Sequence, residues 1–299
     1  MDDVTLIIDV SSQRMLTIFL ALIMFSVALG LKVKHFIELK KRPRLVFAGI
    51  VGQIIALPLF TLLLTIILQP PPSVALGMIV VSSCPGGNVS NFLTSISRGD
   101  VALSVTLTAI SSIFAVLLTP ISIVFWSGFN PEVSALIQSI GLDVKDFLVQ
   151  TTFMLLIPLI LGMVVAYKGK KVAKFLYQPM RFISFFILIG FIVVTFANNY
   201  ANFLAYANII VPTVILHNIM ALLIGFSAGK LISAPMDSRR ALTFEVGIQN
   251  SGLGLVILLG FFQNIGGATM ITAFWGVWHI ISGLILSGIF TKLGKKMNR

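Results

Sequence analysis

Charged residues are scarce in this 299-residue sequence, where they make up only 10% of the chain. Soluble domains have about 25% charged residues, whereas 57% of this chain is hydrophobic. The composition therefore excludes an ordinary soluble domain and indicates a membrane protein that crosses the bilayer several times. With one cysteine, Cys84, the chain has no internal disulfide. The first residues are acidic at Asp2, Asp3 and Asp9 and form no basic n-region, so we expect no cleavable signal peptide.

Acidic residues are scarcer than basic ones, 10 against 21, and only Glu245 lies inside an apolar run. A charge at the centre of a membrane helix costs roughly 2.5–3.5 kcal/mol on insertion scales, so such residues are usually functional. No lysine or arginine lies inside an apolar run to neutralise it. The structural alternative is a carboxyl that is kept neutral or joins two helices. We interpret Glu245 as part of an ion-binding site.

Signatures of catalysis are also missing. The sequence has no Gly-x-Ser-x-Gly motif, no His/Glu cluster at metal-ligand spacing and no paired acidic residues within its apolar runs. We therefore predict that the chain is not an enzyme. The net charge of +11 comes from short basic clusters between apolar runs, which is typical of membrane proteins. It predicts no nucleic-acid partner, and no obligate protein partner is evident.

Nine apolar runs approach the length of about 20 residues that a membrane helix needs. The predicted fold is therefore an all-α polytopic membrane protein with nine transmembrane helices. The link between residues 128 and 146 mixes polar and apolar residues and is a candidate for a short interfacial helix. The predicted spans are residues 15–31, 45–68, 74–96, 101–125, 147–167, 182–197, 209–228, 241–262 and 268–290.

The basic residues predict the orientation of these spans. All of the 21 lysines and arginines except Arg14 and Lys145 fall in alternate loops or in the C-terminal tail. The positive-inside rule assigns those loops to the cytoplasm. The N-terminus is then outside and the C-terminus is cytoplasmic, as an odd number of spans requires. We expect a multi-pass protein of a bacterial inner (cell) membrane.

Two of the spans contain helix breakers near their centres. Pro85, Gly86 and Gly87 interrupt the third span, because proline removes a helix hydrogen bond and glycine leaves helical geometry easily. Glycines, carboxamides and the Glu245 carboxylate interrupt the eighth span. The two spans enter the membrane from opposite sides. This is the pattern of inverted repeats around a site at the midplane.

The breaks and the span order predict the domain organisation. Residues 1–126 form a first inverted repeat of four spans, with a broken helix near 84–91. Residues 127–146 are an extracellular connector. Residues 147–299 form a second repeat of five spans, with a broken helix near 245–254. The first repeat therefore lacks the counterpart of the initial helix of the second.

Polar residues beside the breaks have both a functional and a structural interpretation. Ser104, Thr108, Ser111 and Ser112 share one helical face, where hydroxyls either bind a ligand or permit close helix packing. We interpret Ser111 and Ser112 as packing residues, and Ser104 and Thr108 remain open between the two. The lone carboxamide of Gln53 would more often join helices than bind a ligand.

Three motifs resemble those of the bile acid:sodium symporter family. CPGGNVSN at residues 84–91, followed by RGDVALS at 98–104, is similar to the first signature of that family. EVGIQNSG at residues 245–252 is similar to its second signature, and WHIISG at 278–283 to its last-helix motif. The resemblance covers nearly the whole chain and is that of a bacterial member.

The resemblance implies a secondary transporter built from a core domain and a panel domain. The core would contain spans 2–4 and 7–9, with the two broken helices crossing inside it. The panel would contain spans 1, 5 and 6. The family's bacterial members have two five-helix repeats, and this chain lacks the first helix of the first repeat.

The resemblance also implies two sodium sites and a substrate site near the crossing. His279, which by itself would be an ordinary interior histidine, matches a substrate position. Ile280 departs from the family, since several bacterial relatives have Asn there, and this leaves the substrate open. The implied ligands are Ser90, Asn91, Ser104, Thr108 and Glu245 for one ion, Gln53, Glu245, Gln249 and the carbonyls of Val246 and Ile248 for the other, and Asn88, Asn250 and His279 for the substrate.

The predicted function is sodium-coupled symport of an organic anion by alternating access. A bile acid-like compound, a steroid conjugate or a small carboxylate would be such an anion. Hydroxyl, amide and carbonyl oxygens suit a hard cation, and two sodium ions around one carboxylate leave a net positive site that attracts an anion. The alternative is a proton-coupled carrier or a cation/proton antiporter in which Glu245 carries the proton.

The orientation is testable with a reporter that is active only on one side of the membrane. We expect a periplasmic reporter to be active when fused to the N-terminus and inactive at the C-terminus, because the basic loops resist translocation. A cytoplasmic reporter should give the opposite pattern. An N-terminus found in the cytoplasm would contradict the count of nine spans.

Overall fold

The computed structural model describes residues 10–31, 37, 40–262 and 265–297, and its elements over these ranges are helices. The prediction of an all-α fold is confirmed, since no named strand occurs in the described ranges. Asp2, Asp3 and Asp9, which bear on the signal-peptide expectation, lie outside these ranges. So do Lys32, Lys34 and Arg299, which contribute to the predicted orientation.

The helices follow the predicted spans closely in the described part of the chain. They are α1 Val10–Leu29, α2 Pro43–Leu68, α3 Pro72–Ser83, α4 Asn88–Ile96, α5 Val101–Gly128, α6 Pro131–Ser139, α7 Val144–Lys168, α8 Lys170–Asn198, α9 Tyr200–Leu231, α10 Met236–Gly247, α11 Ser251–Phe261 and α12 Gly266–Met297.

Helix ends differ most from the predicted limits at the sixth and seventh spans. α8 begins 12 residues before the predicted residue 182, and α9 begins nine residues before residue 209. Hydropathy marks only the part of a helix that lies in lipid, whereas backbone hydrogen bonding continues through its polar ends. The short helix α6 occupies the link that was predicted to carry one, and Asn130 caps it by accepting a hydrogen bond from the Val133 amide.

Among the described residues, five helices are long and apolar enough to cross a membrane by themselves. They are α2, α5, α7, α9 and the Gly266–Lys292 part of α12, with mean hydropathy between 1.6 and 2.4. α3 and α11 are shorter apolar helices. The chain is therefore a membrane protein with several membrane-capable helices.

The chain leaves helical geometry at both places where breakers occur in the sequence. α3 ends at Ser83 and α4 begins at Asn88, while α10 ends at Gly247 and α11 begins at Ser251. Cys84, Gly87 and Ile248 have extended backbone between these ends. Each interruption thus leaves backbone N–H and C=O groups without helical partners.

The two interruptions cross and satisfy each other. The Gly87 amide donates to the Ile248 carbonyl at 3.1 Å, and the Asn250 amide donates to the Pro85 carbonyl at 2.8 Å. These bonds form an isolated antiparallel bridge between Gly86 and Gln249. Buried backbone groups must find partners inside a membrane protein, and this bridge provides them at the crossing.

α2 contains a π-helical turn at Gly52–Ala56, in which the Leu57 amide donates to the Gly52 carbonyl. Pro58 comes one residue after Leu57 and has no backbone N–H to donate to a preceding carbonyl. Such turns insert one extra residue into a helix and often occur at functional sites. Here the turn contains Gln53, whose side chain is buried.

Two groups of helices can be distinguished by their packing. α1 packs against α7 and α8, and also meets α11. Met24 of α1, Leu155 of α7 and Val256 of α11 belong to one apolar cluster. α9 packs along α10, and α3 along α12. The crossing is therefore enclosed by α2, α5, α9, α10 and α12, with α1 and α8 on one side.

Gly225 permits the close approach of α9 to α10. A methyl group at this position would overlap the Leu242 carbonyl oxygen and lie 2.8 Å from the Thr243 Cα atom. Both neighbours are backbone atoms that cannot rotate away. Gly288 of α12 is a matched helical glycine with open space around its Cβ position.

We predict that Gly225→Ala destabilises the protein by about 1–3 kcal/mol, the usual penalty for forcing extra volume into a packed interior. Gly288→Ala should be neutral or stabilising by up to about 1 kcal/mol, because alanine favours a helix more than glycine does. Thermal unfolding of both purified variants measures the difference. Equal melting temperatures would show that α9 and α10 are not packed this closely.

Candidate ion and substrate site

Glu245 lies in the last turns of α10 with its carboxylate completely buried. Hydroxyl groups from α4 and α5 surround it. Ser90 donates to Oε2 at 2.7 Å and Thr108 to Oε1 at 2.8 Å, while the Ser104 hydroxyl lies 3.3 Å from Oε2. Ser90, which follows the first break, thus lies against the carboxylate beside the second break, and the unbroken helix α5 contributes the other two hydroxyls.

Asn91 completes this cluster. The hydroxyls of Ser104 and Thr108 lie 2.8 and 3.3 Å from its Oδ1 atom. Every residue named above as a ligand of the first ion is therefore present in one hydrogen-bonded group. These residues come from three helices, α4, α5 and α10, and their side chains converge from positions up to 155 residues apart.

Three neutral hydroxyls face the charged carboxylate in this cluster. Ser90, Ser104 and Thr108 supply one proton each. The side-chain oxygens that can accept from those hydroxyls within 3.3 Å are the two Glu245 oxygens and Asn91 Oδ1. Neutral hydroxyls leave the negative charge of a carboxylate in place. Several oxygens that converge beside such a charge are the ligands that a hard cation prefers.

Two carboxamides lie on the other side of Glu245. Gln53 Nε2 is 3.3 Å from the Glu245 carbonyl oxygen, and Gln249 Nε2 donates to the Val246 carbonyl at 2.7 Å. The Oε1 atoms of both glutamines are buried and have no hydrogen-bond partner in the described part of the chain. The Ile248 carbonyl accepts the crossing bond from Gly87. All five groups named for the second ion are thus found around the break in α10.

The charge of Glu245 has no cation beside it, because its hydrogen-bond partners in the described ranges are hydroxyls. Arg240, which lies five residues earlier in α10, is buried but turns elsewhere. Its guanidinium donates to the Ser97 carbonyl at 2.8 Å and the Phe290 carbonyl at 3.2 Å. Arg42 pairs with Asp100, which also caps α5. These two arginines therefore bind groups at the helix ends near Asp100 and Phe290 and do not neutralise Glu245.

A cavity of about 450 Å³ adjoins the crossing. Asn88, Asn250 and His279, the three residues named for the substrate, all line it, and Ile280 is beside them. α4 and α11 both begin at this cavity, so the positive ends of two helix dipoles meet there. Its opposite wall consists of α1 and α8, with Ser26, Val27, Gln178, Phe182 and Ser184 among the lining residues.

The polar residues of the opposite wall were not predicted. Ser26 and Ser184 are isolated polar positions in apolar stretches, and no pattern in the sequence marks them. Gln178 lies in a basic stretch that was predicted to be a loop before the span that begins at residue 182. A signal existed for Asn218, which follows His217 within an apolar run. Its amide donates to the Gly247 carbonyl at 2.9 Å, so it holds the last residue of α10 in place.

His217 is an interior histidine with structural partners. Its Nε2 atom is 2.7 Å from the Thr61 hydroxyl, and its ring packs against Trp275 with 4.5 Å between ring centroids. These contacts join α9 to α2 and α12. His217 does not line the cavity at the crossing.

A buried oxygen cluster beside a cavity, in an all-helical membrane protein, is an arrangement that suits a transporter. The chain matches the Sodium Bile acid symporter family over residues 17–206 and belongs to that family. The sequence-based assignment to the family is therefore confirmed.

Three relatives illustrate the match. An uncharacterized sodium-dependent transporter of Bacillus subtilis, YocS, is 32% identical over 282 residues, which are 94% of this chain and 84% of that protein. A probable sodium/metabolite cotransporter of Arabidopsis thaliana chloroplasts, BASS1, is 32% identical over 85% of this chain and 61% of its own length. The human ileal sodium/bile acid cotransporter is 28% identical over 83% of this chain and 69% of its length.

Gly86 allows the two breaks to meet at the carboxylate. A methyl group there would overlap Glu245 Oε1 and lie 2.9 Å from Gln53 Nε2. At the neighbouring Gly87, the nearest atom to an added methyl group is the Gln249 carbonyl oxygen at 3.5 Å, an ordinary contact. The two glycines thus form a matched pair, one inside the site and one at its edge.

We predict that Gly86→Ala lowers thermal stability by about 1–3 kcal/mol through overpacking, whereas Gly87→Ala stays within about 1 kcal/mol of wild type. Melting curves in detergent, recorded in sodium and in choline, measure both effects. The Gly86 variant should also lose its response to sodium. A Gly86→Ala protein that behaves like Gly87→Ala would contradict the geometry of the crossing.

Proposed function

We propose that this protein is a symporter that couples the entry of sodium ions to the entry of an organic anion. The observation that carries the proposal is a fully buried carboxylate, surrounded by oxygen atoms and paired with no basic side chain in the described ranges. Membership of the sodium/bile acid symporter family supports the use of sodium. The Bacillus relative, which is described as a sodium-dependent transporter, agrees with this.

Two sodium ions share Glu245 in this proposal. The first is held by the side chains of Ser90, Asn91, Ser104, Thr108 and Glu245, which lie in one hydrogen-bonded group. The second is held by Gln53, Gln249 and Glu245 with the carbonyls of Val246 and Ile248. The unpartnered Oε1 atoms of both glutamines support this second site, because a buried oxygen without a partner loses its hydration without compensation.

The charges of the site with both sodium ions bound provide the coupling between sodium and the organic anion. Two sodium ions and one carboxylate leave one net positive charge, to which the N-terminal ends of α4 and α11 add. The adjoining cavity contains Asn88, Asn250 and His279 at these helix ends. An organic carboxylate or sulfonate there gains electrostatic attraction only when sodium is bound. Bile acid-like compounds, steroid conjugates and small carboxylates are candidates within this class.

Alternating access is the proposed mechanism. α1, α7 and α8 would form the panel, and the remaining predicted spans the core, arranged as two inverted repeats over residues 1–126 and 147–299. The cavity supports this division, because one wall belongs to α1 and α8 and the other to the crossing. Movement of one wall against the other exposes the cavity first to one side of a bacterial inner membrane and then to the other. The N-terminus would be outside and the C-terminus in the cytoplasm.

A proton-coupled carrier that uses Glu245 is the rival. One proton on one carboxyl oxygen would leave the two glutamine oxygens unsatisfied. A metal ion satisfies several oxygens at once, so the geometry favours sodium.

Sodium binding can be measured without knowing the substrate. We expect sodium at 100 times its dissociation constant to stabilise the wild-type protein by about 2.7 kcal/mol relative to choline. Glu245→Gln should abolish most of this effect, because it removes the shared charge. Glu132→Gln, an exposed glutamate at the start of α6, is the matched control and should respond like wild type.

The same measurement with a panel of organic anions tests coupling. An anion that is a substrate should stabilise the protein in sodium and much less in choline at the same pH, since the effect of one ligand on the other is reciprocal. Stabilisation by lowered pH in choline, without any sodium effect, would favour the proton carrier. An unchanged sodium response in Glu245→Gln would refute the role of the carboxylate.

A further inference from the structure

A second, much smaller cavity lies on the other side of the sodium cluster. Its volume of about 20 Å³ is enough for one water molecule. It lies between α2, α3 and α5, and it shares no lining residue with the cavity of about 450 Å³. Its polar lining includes Gln53, Ser83, Ser111, Thr119 and Ser122.

The hydroxyls of this cavity continue the face of α5 that meets Glu245. Counting at 100° per residue, positions 104, 108, 111, 115, 119 and 122 fall on one stripe of the helix. Five of these residues carry hydroxyls, and Ala115 is small. All of them are buried. Residues 104 and 122 are 18 positions apart, so the stripe extends about 27 Å along the helix axis.

This stripe changes the interpretation of Ser111. The sequence suggested that it only permits helix packing, yet it lines the small cavity. Ser122 donates to the Ser83 hydroxyl at 3.0 Å across the same cavity. Close packing alone would be served by alanine, which needs no hydrogen-bond partner in the interior.

Two buried oxygens along this cavity have no partner among the described residues. They are Gln53 Oε1 and Thr119 Oγ1, in side chains that are 2% and 1% exposed. An unsatisfied polar group in a low-dielectric interior loses its hydration without compensation. Two such groups beside a space for one water molecule indicate that a water molecule or a small ion visits them.

We propose that this hydroxyl-lined cavity is part of a sodium passage, separate from the substrate cavity, that leads from Gln53 along α5 to Ser122. This inference rests on the proposed sodium function. The passage points toward the end of α5 that is opposite to Asp100 and its basic partner Arg42. It admits a small cation and excludes an organic anion by size. Sodium therefore reaches its sites while the substrate cavity is closed to that side.

The single cysteine of the chain makes this passage accessible to experiment. Cys84 lines the small cavity and is the only thiol in the protein. Silver(I) is a small monovalent cation that binds a thiol, with loss of the thiol proton as the sulfur–silver bond forms. Intact cells are exposed to silver nitrate in chloride-free choline or sodium buffer. The remaining free thiol is then counted after unfolding with a polymer-linked maleimide.

Thr119→Val removes the hydroxyl but keeps the shape, and Thr106→Val is its matched control. Thr106 is also buried in α5 without a partner among the described residues, but it does not line the cavity. We expect external silver to label Cys84, sodium to slow the labelling, and Thr119→Val to slow it about tenfold, as expected for one lost contact to a cation. Thr106→Val should change the rate by less than about twofold.

Three outcomes would overturn the passage. These are equal labelling rates in the two valine variants, labelling only in inverted vesicles, and no labelling in the folded protein. The melting temperature in sodium and in choline is recorded for each variant, because a passage changes rates and leaves sodium affinity intact. If the wild type has no sodium response, the proposed function fails. If the response is present in both variants but their silver rates are equal, only the passage fails.

Discussion

A carboxylate without exposed surface, in a fold that must sit in lipid, is the constraint on which the rest of this molecule depends. Removing such a group from water costs several kcal/mol even after the protein relaxes. The hydroxyls of Ser90, Ser104 and Thr108 offset part of that cost. They cannot neutralise the charge, and no described basic residue does so. In the proposed function, a sodium ion that binds at Glu245 supplies the missing positive charge.

The crossing of the two breaks allows this cluster to exist inside a membrane protein. A helix that ends in lipid would expose four carbonyls or four amides. Here Gly87 and Asn250 donate across the crossing to Ile248 and Pro85, so that each break supplies partners for the other. The same geometry directs the start of α4 and the start of α11 toward one cavity. The crossing thus both gives partners to the backbone groups of the breaks and brings two positive helix ends to the cavity.

Much of this arrangement could be predicted from the sequence, because its strongest signals are physical exceptions. A lone glutamate in an apolar run, and proline with glycines in another, are costly in lipid and therefore informative. The family resemblance named Asn91, Ser104 and Thr108, and helical spacing had also placed Ser104 and Thr108 on one face. The π-helical turn at Gln53 was missed, although Pro58, shortly after the turn, was a signal. Ser26 could not be found, because a single polar residue in an apolar helix has several equally simple explanations. Gln178 was missed because it lies in a basic stretch that was predicted to be a loop.

Two cavities lie on different sides of Glu245. The cavity of about 450 Å³ reaches the crossing from the side of α1 and α8, and the cavity of about 20 Å³ reaches it between α2 and α5. Gln53 lines only the small cavity and Gln249 only the large one, although both lie beside Glu245. In the proposed mechanism, an ion held between these two carboxamides would contact both cavities. Its charge would then act on the substrate cavity while its own route stays separate, so that binding of the ion would precede and favour binding of the anion.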